Sequence, residues 1–364
     1  MLSATMVSAE IDVSHIVMLN RSQQEMLKQI VNTQPQARKL WHMLQDEANL
    51  ILSLSPQPMS TLKYSGYTRD NDDRIDTEMA LYDMDCLGIL YYSIICSDGD
   101  KEYIGKAKEF ILAWASTYIP TGNPENEDRL EPLFHCYFLI QRYFNLQEQE
   151  MVEDWMITIA EMEKKNNNLP MDKIEAQRIK TLGTLGYLLN EPELVKHSIA
   201  AFKRYIEVSL YPDGTSYELV QTNILANHVT MLEALVSFGI TFRQFEGPET
   251  RLDVYSYQSP NGSSVKRSVE YIEPYAKGKL LYKEDRENVQ MNETTMSYSL
   301  GETDDTETWF NPESANTLLQ LSAYFDNNES KLIQTKSSQK AYETWLGLMV
   351  DIAADDNNSR LSLK

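Results

Sequence analysis

The sequence predicts an all-α protein, an incomplete α/α toroid of antiparallel helix hairpins with an irregular rim segment toward the C-terminus. Three observations predict it. Apolar residues recur at helical spacing in one segment after another. The segments fall into pairs, and the hairpins return every ~40–50 residues, as in helical repeat architectures. No β-α-β alternation or glycine-rich phosphate loop interrupts them, which sets nucleotide folds aside. An open superhelix is the second way to arrange such pairs. The 364 residues are read as a single domain spanning 1–364, with a sizeable core and flexible ends at 1–15 and 355–364.

The elements follow in order. Residues 22–25, Ser-Gln-Gln-Glu, carry a capping-box signature, with Met26, Ile30 and Val31 behind it. Residues 36–54 form a second helix through Leu40, Leu44 and Ile51. A loop at 56–73, rich in Pro, Ser, Gly and Asp, carries Tyr64 and Tyr67. Thr77 is the expected cap of a helix reaching Cys96, apolar round much of its surface and therefore buried. Asp98 is the expected cap of the next, which ends where Pro120, Gly122 and Pro124 break it. Residues 130–146 and 151–162 form another pair, as do 174–189 and 194–210. His197 on the last of these reads as an ordinary solvent-side histidine. Residues 242–263 are turn-rich, 265–275 a short helix, and 276–305 polar and irregular, a lid or a rim of short strands. Helices at 312–324 and 339–354 close the chain.

Composition narrows the function. Formal net charge is −21, so the surface is poorly suited to nucleic-acid phosphates, and no nucleic-acid partner is expected. The three cysteines, Cys86, Cys96 and Cys136, show no metal-binding spacing. Cys86 and Cys96 on one helix lie ~15 Å apart and cannot bridge. No HExxH or comparable metal motif occurs among the five histidines. No run of 18 apolar residues appears, so no membrane span is expected. Val7-Ser8-Ala9 resembles a signal-peptidase site, but Met1 to Met6 is too short for an apolar h-region. A periplasmic or secreted location is expected if an export signal has been trimmed, and a cytoplasmic one otherwise. Oligomeric state is not legible.

The chemistry is expected in residues 210–235. Pro212, Asp213 and Gly214 make a turn, and a helix is predicted from about Gln221. Ile224, Leu225, Leu232 and Leu235 share its apolar face. His228 falls on that face, with Gln221 and Asn227 on or beside it. Such groups need polar partners in a core. A buried histidine bonded to a backbone carbonyl is the plain reading, and a catalytic one the alternative.

Four stretches then stand together in order: residues 113–127 (AWASTYIPTGNPENE), Asn166 to Asn168 with 177–183 (QRIKTLG), 210–218 (LYPDGTSYE) followed by Asn227-His228, and 273–279 (EPYAKGK). Over most of residues 60–325 the chain resembles the alginate-lyase-type polysaccharide lyases. The resemblance implies an α/α toroid and β-elimination on a uronic-acid-containing glycan, alginate- or glucuronan-like, with no metal or organic cofactor and an acidic polysaccharide or oligosaccharide as partner. Elimination requires that the C6 carboxylate be neutralised, that a base take the C5 proton, and that an acid protonate the leaving O4.

Carried over by position, Asn168 or Asn167 would neutralise the carboxylate, and His228 would be a neutraliser or the base. Tyr282 would be base and acid, with Tyr271 and Tyr275 as alternatives that read better as packing. The substrate-binding set adds Arg178, Gln221, Asn227, Asn123, Tyr64, Tyr217 and Arg267. Arg178, Lys180 and Arg267 are the nearest cations, each reading individually as a surface charge. The chain departs from the family's pattern at Thr222, where members commonly carry Arg, at Asn227, where they carry Tyr, and at Ala226, where a second His is common. A catalytically impaired carbohydrate-binding protein on the same fold is therefore the alternative function. A hydrolase using Asp213 and Glu218, which would have to face each other at roughly 5–9.5 Å, ranks third.

Overall fold

The computed structural model describes residues 11–63, 71–166, 171–247, 250, 252–285, 308–326 and 343–355. Fourteen α-helices of at least four residues are described: α1 Arg21–Thr33, α2 Pro35–Ile51, α3 Asp72–Cys96, α4 Lys101–Thr117, α5 Pro124–Glu127, α6 Glu131–Ile140, α7 Leu146–Lys165, α8 Lys173–Leu188, α9 Pro192–Ser209, α10 Tyr217–Thr222, α11 Leu225–Glu246, α12 Val265–Ala276, α13 Asn316–Ser322 and α14 Trp345–Asp355. Two short antiparallel strands, β1 Lys283–Glu284 and β2 Thr308–Trp309, pair with Lys283 opposite Trp309. The protein is all-α.

Neighbour contacts run α1–α3–α6–α8–α11–α13–α14 and back to α1. This cyclic order is compatible with an α/α toroid. Helix α2 flanks α1 and α3, α4 and α7 pack beside α3 and α8, α9 covers α8, and α12 lies on α11 and α13. The α8 surface is buried on every side, and glycine makes this possible. A Cβ at Gly183 would lie 2.3 Å from a Phe238 ring carbon of α11, and one at Gly186 would lie 2.9 Å from the Val195 backbone of α9. Both helices therefore approach α8 closely.

Helices α3 and α11 are long and apolar enough to cross a membrane by length and composition, but most of their surface is buried within the molecule. They are the interior helices of this fold.

The local signals hold in kind and are often displaced by a few residues. The capping box of α1 is formed by Asn20 and Gln23 rather than by Ser22 and Glu25. Asn71 caps α3 a turn and a half before Thr77, whose hydroxyl instead accepts from Lys63 N at 3.0 Å. Asp100 caps α4, while Asp98 sits in the preceding turn at φ 60°. The helix expected over 130–146 stops at Ile140 in a 3-10 turn, Gln141–Tyr143. Helix α11 continues to Glu246, past the expected turn at Phe242, because its apolar surface stays covered. Within 276–305, the short-strand expectation holds for Lys283–Glu284; residues 286–307 lie outside the described residues.

The described part of the start expected to be flexible, residues 11–15, packs against the ring helices. Ile11, Val13, Ile16 and Val17 are buried. Val17 N donates to the Tyr92 hydroxyl of α3 at 3.0 Å, Gln244 Nε2 of α11 donates to Met18 O at 2.7 Å, and Thr317 Oγ1 of α13 donates to Asp12 Oδ2 at 3.1 Å. Residues 11–19 thus cross between ring helices as part of the core. Their apolar run is too short to read as an element.

Candidate functional site

The Pro212-Asp213-Gly214 turn forms as expected. Gly214 N donates to Tyr211 O at 3.0 Å and Tyr211 N to Thr215 O at 2.9 Å, and a β-bridge joins Leu210 to Ser216. Gly214 adopts φ +94°, and a Cβ there would lie 2.7 Å from both Arg267 O and Tyr271 Cβ. The turn is therefore clamped directly under α12. Arg267 Nε adds a bond to Pro212 O at 3.2 Å.

The helix predicted from Gln221 is two helices. Asn223 stands at φ 53° and ψ 33° as the C-cap of α10, a left-handed conformation that Asn tolerates better than most residues. The chain then restarts as α11. Ile224 supplies no side-chain cap, and Glu284 Oε1 of β1 accepts from Ala226 N at 2.9 Å instead. This break corrects the placement of Gln221. It lies exposed on α10, away from the core face that carries His228.

His228 is fully buried. Its Nδ1 lies 2.7 Å from Ser216 Oγ, and its Nε2 has no hydrogen-bond partner. Burial pushes the ring down to about 3, against the smaller opposing effects of a hydrogen bond with the Gly214 backbone and then of the Asp213 charge. The ring is uncharged at ordinary pH. The Tyr271 ring approaches it edge-on with centroids 6.1 Å apart. Tyr271 contacts Tyr275 at 5.6 Å, and Tyr275 contacts Tyr282 at 5.5 Å. Tyr282 donates to Asn223 Oδ1 at 2.8 Å, and burial raises its phenol above the ordinary value. His228 and Tyr282 thus stand at opposite ends of a chain of rings, with Tyr271 the tyrosine nearest His228. Reading Tyr271 as helix packing alone missed that contact. Ser216 was missed because a serine twelve residues away carries no periodic signal.

Asn227 is buried, and its Nδ2 donates to Glu218 Oε1 at 2.9 Å. Burial raises the Glu218 carboxyl above its ordinary value. Asp213, the other half of the hydrolase pair, is exposed in the turn. Its Oδ1 accepts from Thr215 N at 2.9 Å and Thr215 Oγ1 at 2.6 Å. One carboxylate buried under an amide and one holding a surface turn do not form a facing pair.

The surface-charge reading is overturned for two of the three cations. Arg178 is buried and bidentate on Glu175, at 2.7 and 2.6 Å, with His197 Nε2 3.3 Å away. His197, read as a solvent-side residue, is half-buried against that guanidinium. Lys180 is buried between Asp128 and Glu131 at 2.8 and 2.7 Å. An acidic partner within one helical turn, or on the neighbouring helix α6 and the turn before it, turned each cation inward. Arg267 is exposed as expected, and so is Tyr217. Asn123 is half-buried and caps α5, its Oδ1 accepting from Glu125 N at 3.1 Å. Asn167, Asn168 and Tyr64 lie outside the described residues. Among the described residues no three His, Cys, Asp or Glu side chains are grouped to hold a metal ion.

A second polar region lies between α5 and the end of α7. Glu127 Oε1 accepts from Tyr118 Oη, Thr121 N, Thr121 Oγ1 and Gly122 N at 2.6–3.1 Å. Glu163, fully buried, has neither oxygen hydrogen-bonded. Burial first, then the Glu127 and Asp128 charges, hold its carboxyl well above the ordinary range. A carboxyl so raised binds a proton in the folded chain that the unfolded chain has released. Stability therefore falls as pH rises through and above the ordinary carboxylate range, ~4.3. Glu163→Gln is expected to raise stability near pH 7 by roughly 1–3 kcal/mol. That gain should vanish below about pH 4, as read by urea unfolding of both proteins across the pH range.

The family model for alginate lyase matches residues 32–280. The matched span contains the α5 turn, α8, the 212–214 turn and His228. Comparison with curated proteins returns no match. The family match covers more than half of the chain, so the protein belongs to the alginate lyase family and its function is of the polysaccharide-lyase kind.

Proposed function

We propose that the protein cleaves a uronic-acid-containing glycan, alginate- or glucuronan-like, by β-elimination. Family membership carries this reading, and His228, with one ring nitrogen unpartnered, supports it. In the step, a base removes the C5 proton. The electron pair left behind forms the C4–C5 double bond, the C4–O4 bond breaks, and O4 takes a proton from an acid. His228 Nε2 is the base in this reading. Tyr282, or Tyr271 nearer the ring, supplies the proton to O4. Neutralising the C6 carboxylate falls to Asn168 or Asn167, since Arg178 and Lys180 already serve Glu175, Asp128 and Glu131. A uronate carboxylate arriving beside His228 raises its basicity, because an opposite charge favours the protonated ring.

Incubation with alginate, polyglucuronate and other polyuronates tests this, with the ultraviolet absorbance of the unsaturated product as readout. Silence across a broad panel would sink it. The second reading, a binding protein without turnover, draws on two observations. His228 has no exposed surface, and the Asn227 amide is held by Glu218. It calls for retention of polyuronates with no chromophore.

A further inference from the structure

We propose that Trp309 is a sugar-stacking residue, holding one uronate ring of the glycan on the outer face of the β1–β2 ribbon, beside the segment that carries His228. The identity of the ligand rests on the polysaccharide reading above; the exposed indole does not.

The position of the indole follows from strand register. Phe310 N donates to Tyr282 O at 2.9 Å, which makes Tyr282 and Phe310 a hydrogen-bonded pair. Lys283 and Trp309, the next pair along, are then of the non-hydrogen-bonded kind, in which opposed side chains come closest. Both stand on one face, with Cβ atoms ~4.5–5.5 Å apart. Side chains alternate across a strand, and burial follows the alternation. Glu284 and Phe310 turn inward and are buried, whereas Leu281, Lys283 and Trp309 are exposed. The inner face fixes the ribbon in place. Glu284 Oε1 accepts from Ala226 N, two residues before His228, and Tyr282 donates to Asn223 Oδ1 at the break between α10 and α11.

Of the five tryptophans, Trp114, Trp155 and Trp345 are buried against other rings, and Trp41 packs half-buried on the core. Trp309 is 45% exposed. An exposed leucine needs no explanation, but an indole offers a flat, rigid apolar face with little rotamer freedom to lose. The C–H face of a pyranose covers such a surface while its hydroxyls stay in water at the edge. The ammonium of Lys283 on the same face matches a sugar that carries a carboxylate, on a molecule whose net charge of −21 otherwise repels a polyanion. A neutral sugar gains the stacking alone. The ribbon lies beyond the family-matched span, which ends at residue 280.

The test uses the full chain with alginate and polyglucuronate oligosaccharides as probes and a neutral glucan oligosaccharide as control. Acrylamide quenching of tryptophan fluorescence should fall when a polyuronate binds, because Trp309 is the most exposed indole. Trp309→Phe keeps a ring but removes the indole, so it should abolish that protection and bind nearly as wild type does. Trp309→Ala should weaken binding about tenfold. Where a polyuronate is turned over, KM should rise by a similar factor with kcat nearly unchanged, since a stacking subsite holds substrate and transition state equally. Wild-type affinity in Trp309→Ala, folded by circular dichroism, overturns the assignment. So does undiminished quenching in the complex, equal protection by the neutral glucan, or protection that grows with protein concentration without glycan, which would place a second copy over the ring. A polyuronate bound with protection but without product ends the elimination reading and leaves Trp309 in its role. Product formed with an unchanged KM in Trp309→Ala does the reverse, and a chain that binds no polyuronate overturns both.

Discussion

Replacing His228 by Ala should lower the rate of polyuronate elimination by roughly 10²–10⁴-fold, the usual worth of a positioned acid–base group. Polymer binding should change far less. The ring has no exposed surface, so it contributes little to the face that a polymer first meets, and its loss should appear in kcat rather than in KM. The fold should tolerate the change. The partners of the imidazole are the Ser216 hydroxyl and the Gly214 backbone, and Ser216 keeps its bond to Leu219 N when the imidazole is gone. Initial rates by product absorbance, with polymer retention measured in parallel, decide the matter. Equal rates in wild type and variant would remove His228 from the chemistry. A wild type that binds without forming product would favour the binding-protein reading.

The broad architecture was legible because periodicity and breaker residues act locally. Pro120, Gly122 and Pro124 end α4 wherever the rest of the chain goes, and the Pro212-Asp213-Gly214 turn needs only its own backbone preferences. His228 stood out for the same reason, as a polar group at an apolar helical position. What escaped notice depends on residues far apart. The Ser216 hydroxyl, the Glu284 carboxylate that serves as a cap for α11, and the burial of residues 11–19 against α3 and α11 all come from tertiary contacts. The cations show the limit most clearly. A lone Lys or Arg in a sequence reads as a solvated charge because burial is costly, and the partners that make burial tolerable are set by the fold. For Lys180 they lie about fifty residues away, at Asp128 and Glu131.

That burial makes Lys180→Met strongly destabilising, at about 3–5 kcal/mol. Burial alone would lower the Lys180 ammonium, but Asp128 and Glu131 together raise it above its ordinary value. Burial likewise pushes Glu131 up, and Lys180 first, then His135 and His15, bring its carboxyl down below the ordinary range. His135 Nε2 stands 3.5 Å and His15 Nδ1 4.0 Å from Glu131. The lysine therefore ties α8 to α6 and to the turn before α6. A methionine fills similar space but leaves two carboxylates facing each other without the cation between them, and a buried charge stripped of its partner costs more than the pair contributed. The pH dependence follows from the same residues. Because the folded pKa of Glu131 is depressed, its stabilising contribution is present above the ordinary carboxylate value, ~4.3, and is lost as pH falls. In the variant, falling pH instead neutralises the stranded carboxylates and removes the penalty. The difference in unfolding free energy between wild type and Lys180→Met should accordingly be largest near neutral pH and shrink on acidification, as measured by urea unfolding at a series of pH values. A difference that is small at neutral pH, or that grows toward acid, would show that Lys180 does not carry these charges.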